Sequence, residues 1–345
     1  MRWLFILVSL AANLPAQPAP GAVTGSVTDP DGRPVRGLLL QAVNMATRVP
    51  YRVTSSANGE YSIAQLPPGT YELSTQILAN RYRPFVRENL RITGGQTARV
   101  DIRLREGIAL NTVGDGSDFF RAAAATASKL VPPAGATPRM KDGKPDLSGY
   151  WAAAGPSDPG VPEFQDWSAA LSKKRLDDDL KELPSAYCLP TGVTYAVFFA
   201  IAQRVVQSPA LLVMFSEAPQ PPRQIFLDGR SHPGDPIPTW LGHSVGHWDG
   251  DTLVVDSTGF NDRSWLDLNG HPHTEKLHVV ERYRRPDLGH LELEMTVQDP
   301  GALKAPWIMK RTYLLNPKDD VLEAVCAENE KDQQHVSRPA AHTGH

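Results

Sequence analysis

Residues Thr239 to Arg285 read TWLGHSVGHWDGDTLVVDSTGFNDRSWLDLNGHPHTEKLHVVERYRR, and the fold of this stretch decides how the rest of the chain is read. Gly242 to Gly246 spell G-x-S-x-G, the pattern of a serine-hydrolase nucleophile elbow. An elbow sets its serine on a strained turn between an apolar strand and a helix. Ahead of Ser244 stands Asp-Pro-Ile-Pro-Thr-Trp-Leu, and two prolines argue against a central strand there. Beyond it, Asp249-Gly250 followed by Leu253-Val254-Val255 signals a tight hairpin, because Asp-Gly readily takes positive φ. No helical pattern follows. The stretch is expected to be a ribbon of extended segments, with Ser244 inside a strand.

The ribbon also separates histidines that would converge on a helix. His243 and His247 share a strand face but stand about 13 Å apart at roughly 3.3 Å per residue, too far for one ion. His271-Pro272-His273 is a better pair, since i and i+2 on an extended segment lie about 6.6 Å apart. His278, Asp262, Asp267 or Glu275 could supply a third ligand, and a divalent metal here is the one cofactor suggested. Against it, Asn269-Gly270 and Pro272 are turn residues, so the segment also reads as a polar turn.

Outward from this stretch, 345 residues are enough for two or three domains and a sizeable core. Thirty-one prolines and 27 glycines point to turns and short strands rather than long helices. A net charge of −3 leaves no basic footprint for nucleic acid. Residues 1–17, MRWLFILVSLAANLPAQ, have Arg2, an apolar run from Trp3 to Leu10 and small residues before Ala16, the features of a secretory signal. No later apolar run is long enough to span a bilayer. The mature chain is expected to be soluble, and periplasmic or secreted.

Residues 22–105 alternate in short strands. Turns fall at Asp29 to Val35, Asn58-Gly59 and Pro67-Pro68-Gly69, with strands at about 8–12-residue spacing, the pattern of an antiparallel sandwich. In GxVTDPDGRPVRG, SSANGEYSI and LPPGTYELS this region resembles the carboxypeptidase regulatory-like domain. The resemblance implies a prealbumin-type, non-catalytic accessory module, grouped with carbohydrate-binding-like folds. It transfers no ligand residue. Tyr61 and Tyr71 are read as packed aromatics rather than sugar platforms.

Residues 106–139, with Ala122–Ala125 and Pro132-Pro133-Ala134-Gly135, read as a linker. Residues 140–335 form a second antiparallel β-rich domain, a lipocalin-like barrel or a curled meander, with one helix. Gly149-Tyr150-Trp151 resembles the Gly-x-Trp opening of lipocalin-like barrels. Phe164, Trp167, Leu171, Leu176, Leu180 and Leu183 recur near helical spacing, so Glu163–Leu183 is expected to be helical with these residues inward. Strands are expected over Val193–Phe199, Val205–Gln207, Leu211–Glu217 and Arg223–Leu227. Further strands follow around Leu253–Val255, Leu277–Tyr283, Leu291–Val297, Trp307–Leu315 and Val321–Cys326. Residues 336–345 read as a disordered tail. In PDLSGYW, YCLPTGV, the Gln224–Asp267 stretch, HPHTEKLHVVERYRRPD and VCAENEKD the second domain resembles a family of exported proteins of soil bacteria. That resemblance implies no catalytic residue.

Cys188 and Cys326 are the two cysteines. In an oxidising compartment an even pair forms a disulfide, closing a long loop for about 4–5 kcal/mol in the chain-entropy model. The competing reading, reactive or metal-bound thiolates, has no C-x-x-C behind it. Paired carboxylates are available for acid–base chemistry in Asp249, Asp251, Asp256, Asp262, Asp267 and Glu281, and most of these read as turn and cap residues rather than general acids or bases.

Barrel-end loops concentrate binding residues. Trp248, Trp265, Asp262, Arg263, His278 and Arg282 are therefore candidates to line a mouth, with His278 and Arg282 reaching a cavity if their face points inward. Three functions follow: a barrel holding a small molecule or glycan, a metal-assisted hydrolase using His271 and His273, and a cell-surface adhesion protein whose sandwich does the binding. The first, non-catalytic, reading leads.

Overall fold

The computed structural model describes residues 19–76, 82–106, 130–178, 180–194, 202–216 and 220–321. The expected signal, most of the linker, most of the strands over Val193–Phe199 and Val321–Cys326, and the tail lie outside these residues. The chain divides into two compact units, residues 1–76 with 84–105, and residues 77–83 with 106–345. The protein is mainly β.

The first unit is two sheets. Strands β1 (Gly21–Thr28), β4 (Glu60–Leu66), β7 (Thr97–Arg99) and β8 (Ile102–Arg103) make one, and β2 (Leu39–Asn44), β3 (Pro50–Thr54), β5 (Gly69–Gln76) and β6 (Val86–Ile92) make the other. The pairings are antiparallel except where β7 and β8 run parallel to β1. Alternation along β1 buries every second residue, among them Val23 and Val27, as a one-sided sheet requires. Gly25 is needed for close approach, since a Cβ there would lie 1.9 Å from the Val100 carbonyl oxygen. Tyr61 and Tyr71 are buried, each with its hydroxyl donating to a backbone carbonyl, Val100 and Pro67. Burial pushes the Tyr61 phenol up to about 12. Both are core residues.

The second unit is a closed nine-strand barrel. Its ring is β9 (Gly149–Ala152), β11 (Gln203–Gln207), β12 (Leu211–Ser216), β13 (Arg223–Phe226), β14 (His243–Asp249), β15 (Thr252–Thr258), β16 (His278–Arg284), β17 (His290–Gln298) and β18 (Trp307–Leu315). Closure comes from β9, where Trp151 pairs with Gln203 of β11 on one side and Leu315 of β18 on the other. A short β10 (Ser157–Asp158) adds to the outer edge of β18. The meander is broken once: β13 and β14 are parallel, because residues 227–242 carry the chain back to the strand's start.

The GHSVG stretch is ribbon. Ser244 lies within β14, paired with Ser257 of β15, and β14 turns into β15 through Gly250-Asp251, with Gly250 at φ +60°. Glycine at the first central position is what a type II′ hairpin turn requires.

Strand parity places the side chains. Val279, Glu281 and Tyr283 of β16 point inward, as do Leu291, Leu293, Met295 and Val297 of β17. His278 and Arg282 are therefore on the outer wall, contrary to the inward placement that would have put them in a cavity. Cross-strand ion pairs Arg282–Asp249, Arg284–Glu292 and Lys310–Glu294 cover that wall.

Trp151 is fully buried in the barrel core and donates its indole N–H to the Leu147 carbonyl. The Arg285 guanidinium stacks 4.8 Å over the Trp151 ring and donates to the Asp146 and Leu288 carbonyls. Residues 130–139, read above as linker, pack on this unit: the Thr137 hydroxyl donates to the Arg285 carbonyl and Leu288 N–H to that of Gly135.

The helix α1 (Asp166–Asp177) is shorter than expected and buries a different face. Ser168 and Ser172 point inward, the Ser172 hydroxyl donating to the Asn269 carbonyl, while Trp167 is exposed. Serines let the backbone approach closely, which the larger Trp and Leu side chains would prevent. The periodicity of Leu176, Leu180 and Leu183 runs past the helix end, where Leu180 takes a left-handed φ of 55°.

Candidate functional site

Most of the barrel interior is filled by aliphatic and aromatic side chains. A polar exception lies across β13 to β16. Arg223 and Glu281 form a bidentate ion pair, Nη1 donating to Oε1 at 2.9 Å and Nη2 to Oε2, with side chains 9% and 1% exposed. Arg223 also donates to the hydroxyls of Ser257, at 2.9 Å, and Ser244, which bond each other at 2.8 Å. The Tyr283 hydroxyl donates to Glu281 Oε1 at 2.8 Å. A buried pair of this kind is sustained only when hydrogen bonds satisfy its remaining donors and lone pairs, as here. Burial works against the Arg223 charge, but Glu281 and Tyr283 outweigh it and its affinity for the proton is raised. Burial, then Glu281, push the Tyr283 phenol well up.

This network forms one wall of a cavity of about 30 Å³, lined also by Gln203, Met214, Ser216, Gln220 and Tyr313. That volume holds about two or three water molecules at about 10–15 Å³ each. Tyr313 is 1% exposed, and its hydroxyl, beside Gln203, has no partner in hydrogen-bonding geometry among the described residues. Burial raises its phenol.

Sequence reasoning raised Ser244 as an elbow serine and Glu281 as one carboxylate among several, and missed Arg223, Ser257, Tyr283, Tyr313 and the network that joins them. The available signal was parity: Glu281 shares a face with Leu277, Val279 and Tyr283, and Arg311 and Tyr313 share one with Trp307, Met309 and Leu315. A charge in phase with an apolar face is either a misfit or a buried, paired group.

The residues singled out as a mouth are not brought together. Trp265 is buried in a small separate cluster with Leu183 and Ala186, and Arg175 lies 4.7 Å over its ring. Trp248 packs against the barrel core, Asp262 and Arg263 are exposed in their loop, Arg282 pairs with Asp249, and His278 hydrogen-bonds Asp256.

His271 and His273 are held by different partners. His271 Nδ1 meets Asp267 at 2.7 Å, and its ring stacks on Phe164 at 3.6 Å between centroids. The His273 ring is 3% exposed, with Nε2 2.7 Å from the Ser264 hydroxyl and Nδ1 donating to the Thr274 carbonyl. Both nitrogens of His273 are thus occupied, and burial holds its imidazole below the ordinary histidine value. A metal on this pair would have to break the Ser264 bond. Among the described residues no group of three or more His, Cys, Asp or Glu side chains is arranged to hold a metal ion, and neither His271 nor His273 has a third ligand beside it. Ser264 and His273 have the geometry of a nucleophile–base dyad. Both are buried, and the Gly192 backbone lies so close that a Cβ there would sit 2.6 Å from the hydroxyl, which makes the pair a packed structural unit.

Cys188 follows a 3-10 turn (Pro184–Tyr187) and takes a left-handed φ of 58°. Cys326, its expected disulfide partner, lies outside the described residues, which contain no free cysteine.

These observations define two modules, a two-sheet sandwich and a closed nine-strand barrel with a small polar interior. Residues 22–105 match the carboxypeptidase regulatory-like domain, and the first module is a domain of that family. Solved structures align with about a quarter of the chain. The TIE protein of Bacillus anthracis is 18% identical over 26% of this chain and 17% of its own, with a TM-score of 0.23. A minor pilin of Streptococcus agalactiae is 16% identical over 26% and 45%, TM-score 0.23. Hydroxyquinol 1,2-dioxygenase of Pseudomonas putida is 15% identical over 26% and 57%, TM-score 0.21. The chain spans less than two thirds of each, and likenesses this distant carry no functional argument. Among curated proteins none matches the chain. No helix among the described residues is long and apolar enough to cross a membrane.

Proposed function

We propose that the protein is exported and non-catalytic, and that its barrel binds a neutral, hydroxylated small molecule or glycan by one end. The carboxypeptidase regulatory-like domain serves as an accessory module. The observation that carries this reading is the buried Tyr313 hydroxyl, with Gln203 as its polar neighbour, on the wall of a cavity shared with two glutamines and a serine. Arg223 and Glu281 neutralise each other, so the wall has no uncompensated charge for an ion to meet. A cavity of about 30 Å³ has room for a single hydroxyl or hydroxymethyl group rather than a whole ligand. The remainder would lie outside the cavity. Export rests on the signal-like residues 1–17.

The test is calorimetric titration of the full mature chain with glycerol and a panel of mono- and disaccharides, repeated on Tyr313→Phe. A ligand of this kind binds the native protein and loses about tenfold affinity when the hydroxyl is removed, the worth of one hydrogen bond of about 1–1.5 kcal/mol. Equal affinity for Tyr313→Phe, or no binding by any member of the panel at millimolar concentration, would overturn the reading.

A further inference from the structure

The outer wall carries a second constellation, independent of the interior cavity. His243 opens β14, Asp256 lies on β15 and His278 opens β16, all with outward parity, and His232 reaches them from the 227–242 crossing segment. Asp256 accepts from two imidazoles, His232 Nε2 on Oδ1 and His278 Nε2 on Oδ2, both at 2.9 Å. His232 Nδ1 faces His243 Nδ1 at 3.0 Å. The sequence offered no spacing that links these four residues.

We propose that His232 and His243 bind a late first-row divalent ion, copper, nickel or zinc, through their two Nδ1 atoms, with Asp256 as the carboxylate behind His232. The chemistry begins at Asp256. With the Nε2 proton of His232 committed to a carboxylate, its Nδ1 carries the lone pair, the arrangement that fixes the tautomer of metal-binding histidines. Two Nδ1 atoms face to face must share one proton if they hydrogen-bond, and a metal ion replaces that proton.

The spacing fits with little movement. At metal–nitrogen distances of about 2.0–2.1 Å, tetrahedral coordination separates the two nitrogens by about 3.3 Å and the ring centroids by about 5.3 Å. The rings here are 5.2 Å apart between centroids and inclined at 72°. Entry of the ion therefore needs the rings to tilt, opening the nitrogens by a few tenths of an ångström, with no shift of backbone. The His243 ring is steadied on its other face by Phe226, stacked at 5.4 Å. The Asp256 carboxylate supplies negative charge, and the nearby Arg230 cation is engaged by Asp228. His232 is 24% exposed, so water completes the coordination shell. Two protein ligands and open positions make a site that an exogenous oxygen or nitrogen ligand can enter.

The test uses the untagged, chelator-treated full chain, titrated with Cu²⁺, Ni²⁺ and Zn²⁺ by calorimetry, with copper resonance spectra recorded at one equivalent. His335, His342 and His345 near the C-terminus provide a background, so the readout is the difference from His232→Gln/His243→Gln. The native chain takes one equivalent more than this variant, with copper bound most tightly and two-nitrogen coupling in its spectrum. Asp256→Asn keeps both ligands and lowers the affinity ten- to a hundredfold, and it provides a second reading should the double variant fail to fold. Equal stoichiometry and affinity in native and double-variant chains, or an Asp256→Asn affinity unchanged within twofold, would overturn the proposal.

Discussion

Glu281→Gln measures whether the barrel interior is as dry as its geometry implies. The substitution keeps volume and an acceptor oxygen for Tyr283 or Arg223 but removes the negative charge. It leaves the Arg223 guanidinium, 9% exposed, facing only the Ser244 and Ser257 hydroxyls and a neutral amide. Breaking a buried pair by removing one partner costs about 3–5 kcal/mol. That is a large fraction of the roughly 5–15 kcal/mol that holds a domain folded. With a urea m value of roughly 2–3 kcal/mol per M, the midpoint falls by about 1–2.5 M.

Tryptophan fluorescence reads this in the full chain, because Trp3 is the one tryptophan before Trp151 and none lies in residues 22–105. The sandwich is silent and the barrel reports alone. Arg223→Met combined with Glu281→Gln removes the stranded charge and is expected to recover at least half of the loss. A cost below about 1 kcal/mol for Glu281→Gln would show a pair solvated like one at the surface. A double variant no more stable than the single one would show that the charge was never the cause. Either result refutes a desolvated Arg223–Glu281 network.

Two further outcomes are expected. Burial holds the His273 imidazole low, and burial first, then His232 and Arg230, do the same for His243, so the unfolded chain takes up protons that the folded one refuses. Stability is complete above about pH 6.5 and falls as the pH drops below it, by up to about 1.4 kcal/mol per pH unit for each group. His273→Gln reduces that slope, leaving the His243 part, and urea midpoints at pH 7 and 5 with an unchanged slope would sink the assignment. For the cysteines, intact-mass measurement after alkylation without reductant is expected to find neither Cys188 nor Cys326 modified. Reduction should then lower barrel stability by about 4–5 kcal/mol, and two alkylated thiols in the native protein would rule the bridge out.

Local chemistry in the sequence was enough for the ribbon but not for what the ribbon encloses. Asp249-Gly250 announced the β14–β15 hairpin, and two upstream prolines removed the elbow, because turn geometry and missing N–H groups act within a few residues. Alternation in Leu277–Arg284 was equally plain, yet it left open which face went inside. The apolar face wins because Val279 and Tyr283 gain by burial while His278 and Arg282 keep their hydration outside, and Glu281 is carried in with them. Its partner Arg223 lies 58 residues earlier, across a parallel crossing that no local pattern foretells. The helix misled for the opposite reason. Its leucines had the right spacing, but Ser168 and Ser172 fit the close approach to the Asn269 segment, and the backbone turned left-handed before Leu183 could extend the stripe. His232 shows the same dependence on distant chain. In Ser-His-Pro-Gly it is an ordinary turn residue, and it acquires a role only when closure of the barrel sets it between Asp256 and His243. Residues with chemistry in this protein are therefore found where polar side chains keep step with a buried face, or where a turn is carried back over a strand, and both become visible only once the strands are in register.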